Sequence, residues 1–175
     1  MKSPRSAFRS DEFVICAPLT AEGFAPFGDV LIAPGQPGRR YFDDALESTG
    51  AGARPSLSIA HRQPVASMPL QVTTLERHPF TSQTFLPLSG GRWIIIVCPS
   101  RHDGVPEVAS ACAFVAGRDQ GVTYRRGVWH HPHTVLDVPA CHAVWMWCHK
   151  REPDDEVVDV PPFSVELDSG ALQHE

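Results

Sequence analysis

Leu75-Glu76-Arg77-His78-Pro79, with Gln83 and Gly90 behind it, decides how this chain is read, together with Gly127-Val128-Trp129-His130-His131-Pro132 about fifty residues further on. Glu76 and His78 are two apart, so on a strand they leave the same face. Strand-like runs surround both stretches: Phe27 to Ile32, Leu57 to Ala60, Gln71 to Arg77, Thr84 to Leu88, Trp93 to Cys98, Ala111 to Ala116, Val122 to Tyr124, Thr134 to Val138 and Cys141 to Cys148. The 17 prolines and 13 glycines punctuate them at short intervals, the pattern of an all-β sandwich or barrel. Helical signals are few. Thr20 can cap a short turn ended by Pro26, and Val105 to Ser110 reads as a second.

The spacing of the polar residues resembles the two motifs of a cupin barrel. The first runs His-x-His-x4-Glu-x6-Gly, and Glu76, His78, Gln83 and Gly90 fill that frame. The second ends Gly-x-x-His, matched by Gly127 to His130. The resemblance implies an antiparallel β-barrel (a double-stranded β-helix) with one or two short helical turns. In it Glu76, His78, Gln83 and His130 point into one cavity. Two imidazoles and a carboxylate suit a divalent transition ion, with Gln83 as a weaker neutral donor in a carboxylate slot. A metal-free pocket of hydrogen-bonded side chains fits the same residues equally well. His131, adjacent to His130, faces the other way and reads as structural. Arg77 alternates outward, free to pair across a subunit boundary.

Composition narrows the functional classes. At 175 residues the chain is one domain with room for a sizeable core. We expect a flexible tail over 1–12, the barrel over 13–162 and an extension over 163–175. The net charge of -5 and the scattered basic residues argue against nucleic acid as a partner. No apolar run reaches the length of a membrane span, and the first ten residues lack the apolar centre of a secretory signal. The cysteines, Cys16, Cys98, Cys112, Cys141 and Cys148, are odd in number and widely spaced, which fits unpaired thiols in a reducing cytoplasm. Trp93 to Val97 and Ala143 to Trp147 are apolar on both faces, so each needs covering on both sides, by a second subunit or by the chain's own core.

Four segments resemble the ureidoglycolate lyase family: Pro18 to Val30, Leu75 to Pro79, Gln83 to Leu88, and Gln120 to Tyr124 running on to Trp129-His130-His131-Pro132. The resemblance implies a homodimer that cleaves a small-molecule substrate, ureidoglycolate, to glyoxylate and urea in allantoin and purine breakdown. It also implies nickel as the ion in some members. For that chemistry Glu76, His78 and His130 are the candidate catalytic residues. Arg126, Tyr124, Gln83 and Trp129 are the candidate substrate contacts. Arg126 is the expected carboxylate clamp, since a planar guanidinium fork holds both oxygens; Arg40 and Arg62 compete for that role. The chain departs from the family's usual wording at Phe42, where a histidine is common, at Arg125, also commonly histidine, and at Cys148 to Arg151. These departures leave open a cupin enzyme for another small hydroxy-carboxylate, or a barrel that binds without chemistry.

Overall fold

A computed structural model describes residues 13–49, 52–148 and 154–168. The strands are β1 (Phe13–Pro18), β2 (Gly28–Leu31), β3 (Arg54–Arg62), β4 (Leu70–Arg77), β5 (Gln83–Ser89), β6 (Trp93–Cys98), β7 (Cys112–Ala116), β8 (Gly121–Tyr124), β9 (Trp129–His130), β10 (Thr134–Val135), β11 (Ala140–Cys148) and β12 (Glu156–Leu167). Helical structure is confined to single turns. Helix α1 (Ala21–Phe24) starts where Thr20 Oγ1 accepts the Gly23 N–H at 3.0 Å, and 3-10 turns cover Asp43–Ala45 and Val108–Ser110.

Seven strands form one sheet in the order β10-β6-β7-β1-β12-β4-β9, and an extra β6–β9 pairing closes that sheet on itself. The other five form a second sheet, β2-β8-β5-β11-β3. The architecture is the expected all-β, cupin-like one, with a parallel exception: β1 pairs parallel with both β12 and β7.

Strand β6 shows why both faces of an apolar strand can be covered inside one chain. Trp93, Ile95 and Val97 pack on Phe85, Val122, Tyr124 and Val144 of the second sheet. Ile94, Ile96 and Cys98 pack on Val72, Leu75, Phe163 and Val165 in a separate core. Each isoleucine and valine so buried contributes roughly 1.5–3 kcal/mol. For this strand no second subunit is required. Strand β11 differs. Ala140, His142 and Val144 are buried, while the alternate residues Ala143 and Trp145 stay half-buried on the outer face. Beside them Leu57 and Ile59 of β3 are 63% and 60% exposed.

Three strands escape the sequence pattern. β9 is only two residues long, and β1 lacks a turn signal in front of it. β12 carries Pro161-Pro162, which argues against a strand in the middle of a sheet. The ladder with β4 breaks register between Asp159 and Phe163, so the prolines sit at an irregularity and displace no ladder bond. β12 runs across the expected boundary at 162/163, as far as Leu167. The expected tail over 1–12 lies outside the described residues. The free cysteines behave as small apolar groups; burial pushes the Cys16 thiol up to about 11 and, with help from Glu107 and Cys112, Cys98 to about 12.

A feature that the strand pattern does not announce is a histidine pair in the core shared by the two sheets. His133 and His142 meet edge to face with ring centroids 4.2 Å apart, and His142 lies 4.9 Å from Trp93. None of their four ring nitrogens has a hydrogen-bond partner among the described residues. Burial, with the charges of His142 and Arg62, depresses His133 to about 3, and burial depresses His142 to about 4. A histidine unfolds to a pKa of about 6.5. Both groups therefore contribute stability that is complete above that value and is lost as pH falls through 4 toward 3. We predict that the urea midpoint of the protein drops steadily between pH 6.5 and 4, and drops less for His142→Leu. Parallel pH profiles of the two proteins would remove this pair as the source of acid sensitivity.

Candidate functional site

The site lies where β9 is held between two longer strands. His130 pairs in register with Glu76 of β4 on one side and with Val97 of β6 on the other. Residues opposite one another in a ladder project to the same face. Val97 belongs to the core shared with the second sheet, so Glu76 and His130 project there too. His78 keeps the parity of Glu76 just past the end of β4, and Gln83 enters from β5 of the facing sheet. The four side chains named by the motif spacing are brought together. His130 Nε2 is 3.1 Å from Gln83 Oε1 and 3.4 Å from Glu76 Oε1. The His78 and His130 rings are 5.5 Å apart, and one ligand atom from each of Glu76, His78 and His130 lies within 4.8 Å of the others. His78, Gln83 and His130 are buried and Glu76 is half-buried.

The hydrogen bonds determine where the protons sit. His130 Nδ1 is 2.9 Å from the Val128 carbonyl, which can only accept, so Nδ1 carries a hydrogen. His78 Nδ1 is 3.1 Å from the Asp154 carbonyl and 3.0 Å from the Asp155 carboxylate, again acceptors only. In each neutral ring the lone pair is then on Nε2. The His78 Nε2 atom is buried and has no partner among the described residues. The His130 Nε2 atom faces two oxygens. Two imidazole lone pairs, a carboxylate and an amide oxygen thus converge with no cation among them, and such a cluster calls for one: a proton on His130, or a metal ion. The donor set fits a divalent transition ion.

Burial pushes the Glu76 carboxyl up, but His130, which donates to it when its ring is protonated, and the positive charge that His130, His78 and His131 carry in that form outweigh burial and hold the group below the usual carboxylate range. Glu76 is therefore ionised at neutral pH. Tyr124 is stacked on His130, with centroids 4.3 Å apart and planes 11° from parallel. Burial, aided by the Glu76 charge, raises its phenol far above the ordinary value. It can donate a hydrogen bond and cannot act as a base.

The remaining candidates divide. Trp129 needs correction as a substrate contact: it projects from the opposite face of β9 into the second core, with Nε1 donating to the Gly104 carbonyl at 3.0 Å. Arg77 projects outward as expected, but its partners are in the same chain: Glu156 at 2.6 Å, Gly104 O at 2.9 Å and the Trp129 ring. His131 is bonded locally, to Pro132 O and Thr134 Oγ1. Arg126 does not continue the parity of Tyr124, because β8 ends there and a turn follows, with Gly127 at φ 71°. Its guanidinium pairs with Glu47 at 3.2 Å. The neighbouring Gly127 N–H donates to the His78 carbonyl at 2.8 Å, which keeps Arg126 beside the site. Arg40 and Phe42 instead line a cavity of about 530 Å³ on the outer face of the second sheet, with Thr84, Leu86 and Trp145. Arg62 lies near His133 in place of the site. The family's usual histidine at position 42 therefore falls away from the Glu76 cluster, Arg125 is tied to the Ala25 carbonyl, and residues 149–151 lie outside the described residues. Sequence reasoning missed Glu47, Thr81, Asp154 and Asp155. Only the run of acids from Asp154 to Glu156 hinted at the last two.

Residues 11–166 match the ureidoglycolate lyase family. A ureidoglycolate lyase of Rhizobium etli is 42% identical, covering 69% of this chain and 76% of its own length. One of Mesorhizobium japonicum is 39% identical over 72% of this chain and 80% of its own length. One of Agrobacterium fabrum is 42% identical over 69% and 76% respectively. With its barrel, its converging polar side chains and a family match over nearly its whole length, this chain belongs to the ureidoglycolate lyase family.

Proposed function

We propose that this protein is a lyase that cleaves ureidoglycolate to glyoxylate and urea, as part of allantoin and purine breakdown, and that Glu76, His78, His130 and Gln83 hold a divalent transition-metal ion as it does so. The observation that carries the metal is the gathering of Glu76, His78, His130 and Gln83 donor atoms, with the buried His78 Nε2 turned inward and unpartnered among the described residues. When bound, such an ion polarises the substrate hydroxyl and lowers its pKa.

The reaction removes a proton from the hydroxyl, breaks the carbon–nitrogen bond and returns a proton to the departing nitrogen. Glu76, ionised and half-buried, has two carboxylate oxygens: one would serve the ion and the other accepts the hydroxyl proton. Glu76 then returns that proton to the departing nitrogen, so the step balances without a further acid. Tyr124 keeps the His130 ring in plane by stacking and donates from its phenol. Arg126 binds the substrate carboxylate, which takes the place of the Glu47 carboxylate on its guanidinium.

Homodimer formation through the outer face of the five-stranded sheet is part of the same proposal. Leu57, Ile59, Leu86 and Leu88 are exposed there, and β3 is an edge strand with nothing paired to its far side among the described residues. An edge strand that leaves large apolar side chains open to water is a template for pairing. The unpaired cysteines support a cytoplasmic location. Among the described residues no helix is long and apolar enough to cross a membrane.

Four measurements test these statements. Purified protein supplied with a divalent metal should release glyoxylate from racemic ureidoglycolate. His130→Ala should abolish that release, whereas His131→Ala should retain most of it and lower the melting temperature instead. Equal loss of activity in both, at unchanged melting temperatures, would refute the assignment. Arg126→Lys should raise KM about tenfold and change kcat less, because a point charge replaces a fork that acts in ground and transition states alike. An unaltered KM would exclude Arg126 as the clamp. Light scattering should give twice the chain mass at micromolar concentration and the single mass for Ile59→Lys; a monomeric wild type would end the dimer proposal.

A further inference from the structure

His78 is held by a part of the chain that the motifs do not mention. Asp154 lies 76 residues away in sequence and is buried to 6% exposure. A carboxylate at that depth persists only when its oxygens are hydrogen-bonded. One oxygen accepts the Phe80 N–H at 2.8 Å and the other accepts the Thr81 hydroxyl. Thr81 is itself 1% exposed. The Asp154 side chain is thus pinned to the turn that follows His78, and its backbone carbonyl is thereby set against His78 Nδ1 at 3.1 Å. Asp155 adds an exposed carboxylate at 3.0 Å from the same nitrogen. An exposed partner of this kind gives little stability by itself. The buried carbonyl, unable to donate or to move, is the stronger constraint on the ring.

We propose that Asp154 is a positioning residue for His78. Its carboxylate fastens its own carbonyl against the ring, and the carbonyl holds the ring with the proton on Nδ1 and the lone pair on Nε2, aimed at the cation site. Asp155 reinforces the same tautomer. The inference rests on the proposed metal site and extends it. Residues bonded to the far nitrogen of a ligating histidine typically change metal affinity by about 10–100-fold when removed.

Two readouts test it. Long-range ¹H–¹⁵N correlation spectra of protein with ¹⁵N-labelled histidine rings, with His78 assigned by comparison with His78→Gln, report which nitrogen carries the proton. Chelator competition with zinc(II) and nickel(II) reports affinity. Wild-type His78 should be protonated on Nδ1. Asp154→Ala should mix the tautomers and weaken metal binding by about tenfold or more. Asp154→Asn keeps an acceptor for the Phe80 N–H and should restore most of both. Thr81→Val preserves shape, removes one anchor and should fall between, so the test stands if Asp154→Ala does not fold. Glu156→Ala breaks the neighbouring pair with Arg77, and should leave tautomer and affinity unchanged. A wild-type His78 protonated on Nε2, or Asp154 and Thr81 variants with wild-type tautomer and affinity, would overturn the proposal. A wild type that binds neither metal and cleaves no ureidoglycolate would sink the functional reading, while the tautomer spectra would still judge Asp154.

Discussion

The pairing of His130 between Glu76 and Val97 is the constraint on which the rest depends. Two residues make a strand too short to hold its place alone; its backbone bonds go to β4 on one side and β6 on the other. That double pairing closes the seven-stranded sheet. It also places a carboxylate and an imidazole side by side on the face turned to the second sheet. Because side chains alternate, the same two residues send Trp129 into the opposite core, where it anchors β9 by burial and by its bond to Gly104. Closure of the barrel and assembly of the site are thus one event, and a slip of a single residue in β9 would exchange the histidine for the tryptophan.

The parts of this arrangement that were legible in the sequence are those governed by local periodicity. Glu76 and His78 share a face because they are two apart on a strand, and Trp93 to Cys98 reads as a fully buried strand because nothing polar interrupts it. The parts that were not legible depend on where strands stop or on contacts between distant segments. Parity failed for Arg126 because β8 ends at Tyr124 and Gly127 takes a positive φ in the turn. It misassigned Trp129 because a two-residue strand has too few positions to show which side is inward. The Asp154 contacts to His78, Phe80 and Thr81 span more than 70 residues and leave no periodic trace. β12 was hidden by Pro161-Pro162, whose cost is avoided by the break in register with β4.

The core between the sheets holds two histidine pairs whose surroundings differ. Each ring of the His78–His130 pair has one nitrogen bonded to backbone, and a carboxylate stands nearby. His133 and His142, near Trp93 at the other end of β6, have aromatic rings, each other and the Arg62 charge as neighbours. The first pair has its protons directed and its lone pairs gathered, which is what ligation or proton transfer needs. The second has no acceptor to fix a proton and no carboxylate to balance a charge, so it stays neutral and behaves as part of the apolar core. Residue type alone does not separate these roles; hydrogen-bond direction does.

Charge gives a reason for Gln83 in a slot where the motif has glutamate. With Glu76 as the single carboxylate in the set, a divalent ion held there would leave a net positive site. A second carboxylate would neutralise it. The substrate proposed here is itself an anion, and a buried site that already balanced its own charge would oppose the entry of another negative group. Gln83 still presents an oxygen, at 3.1 Å from His130 Nε2, without adding charge. Arg126 extends the same balance outward: its present partner, Glu47, is a carboxylate on the 40%-exposed guanidinium, so replacing it with the carboxylate of a substrate exchanges one ion pair for another of the same kind. The direct Coulombic gain of that exchange is small near the surface. On the proposed reading, a preference for an anion would come chiefly from the neutral glutamine deeper in the site.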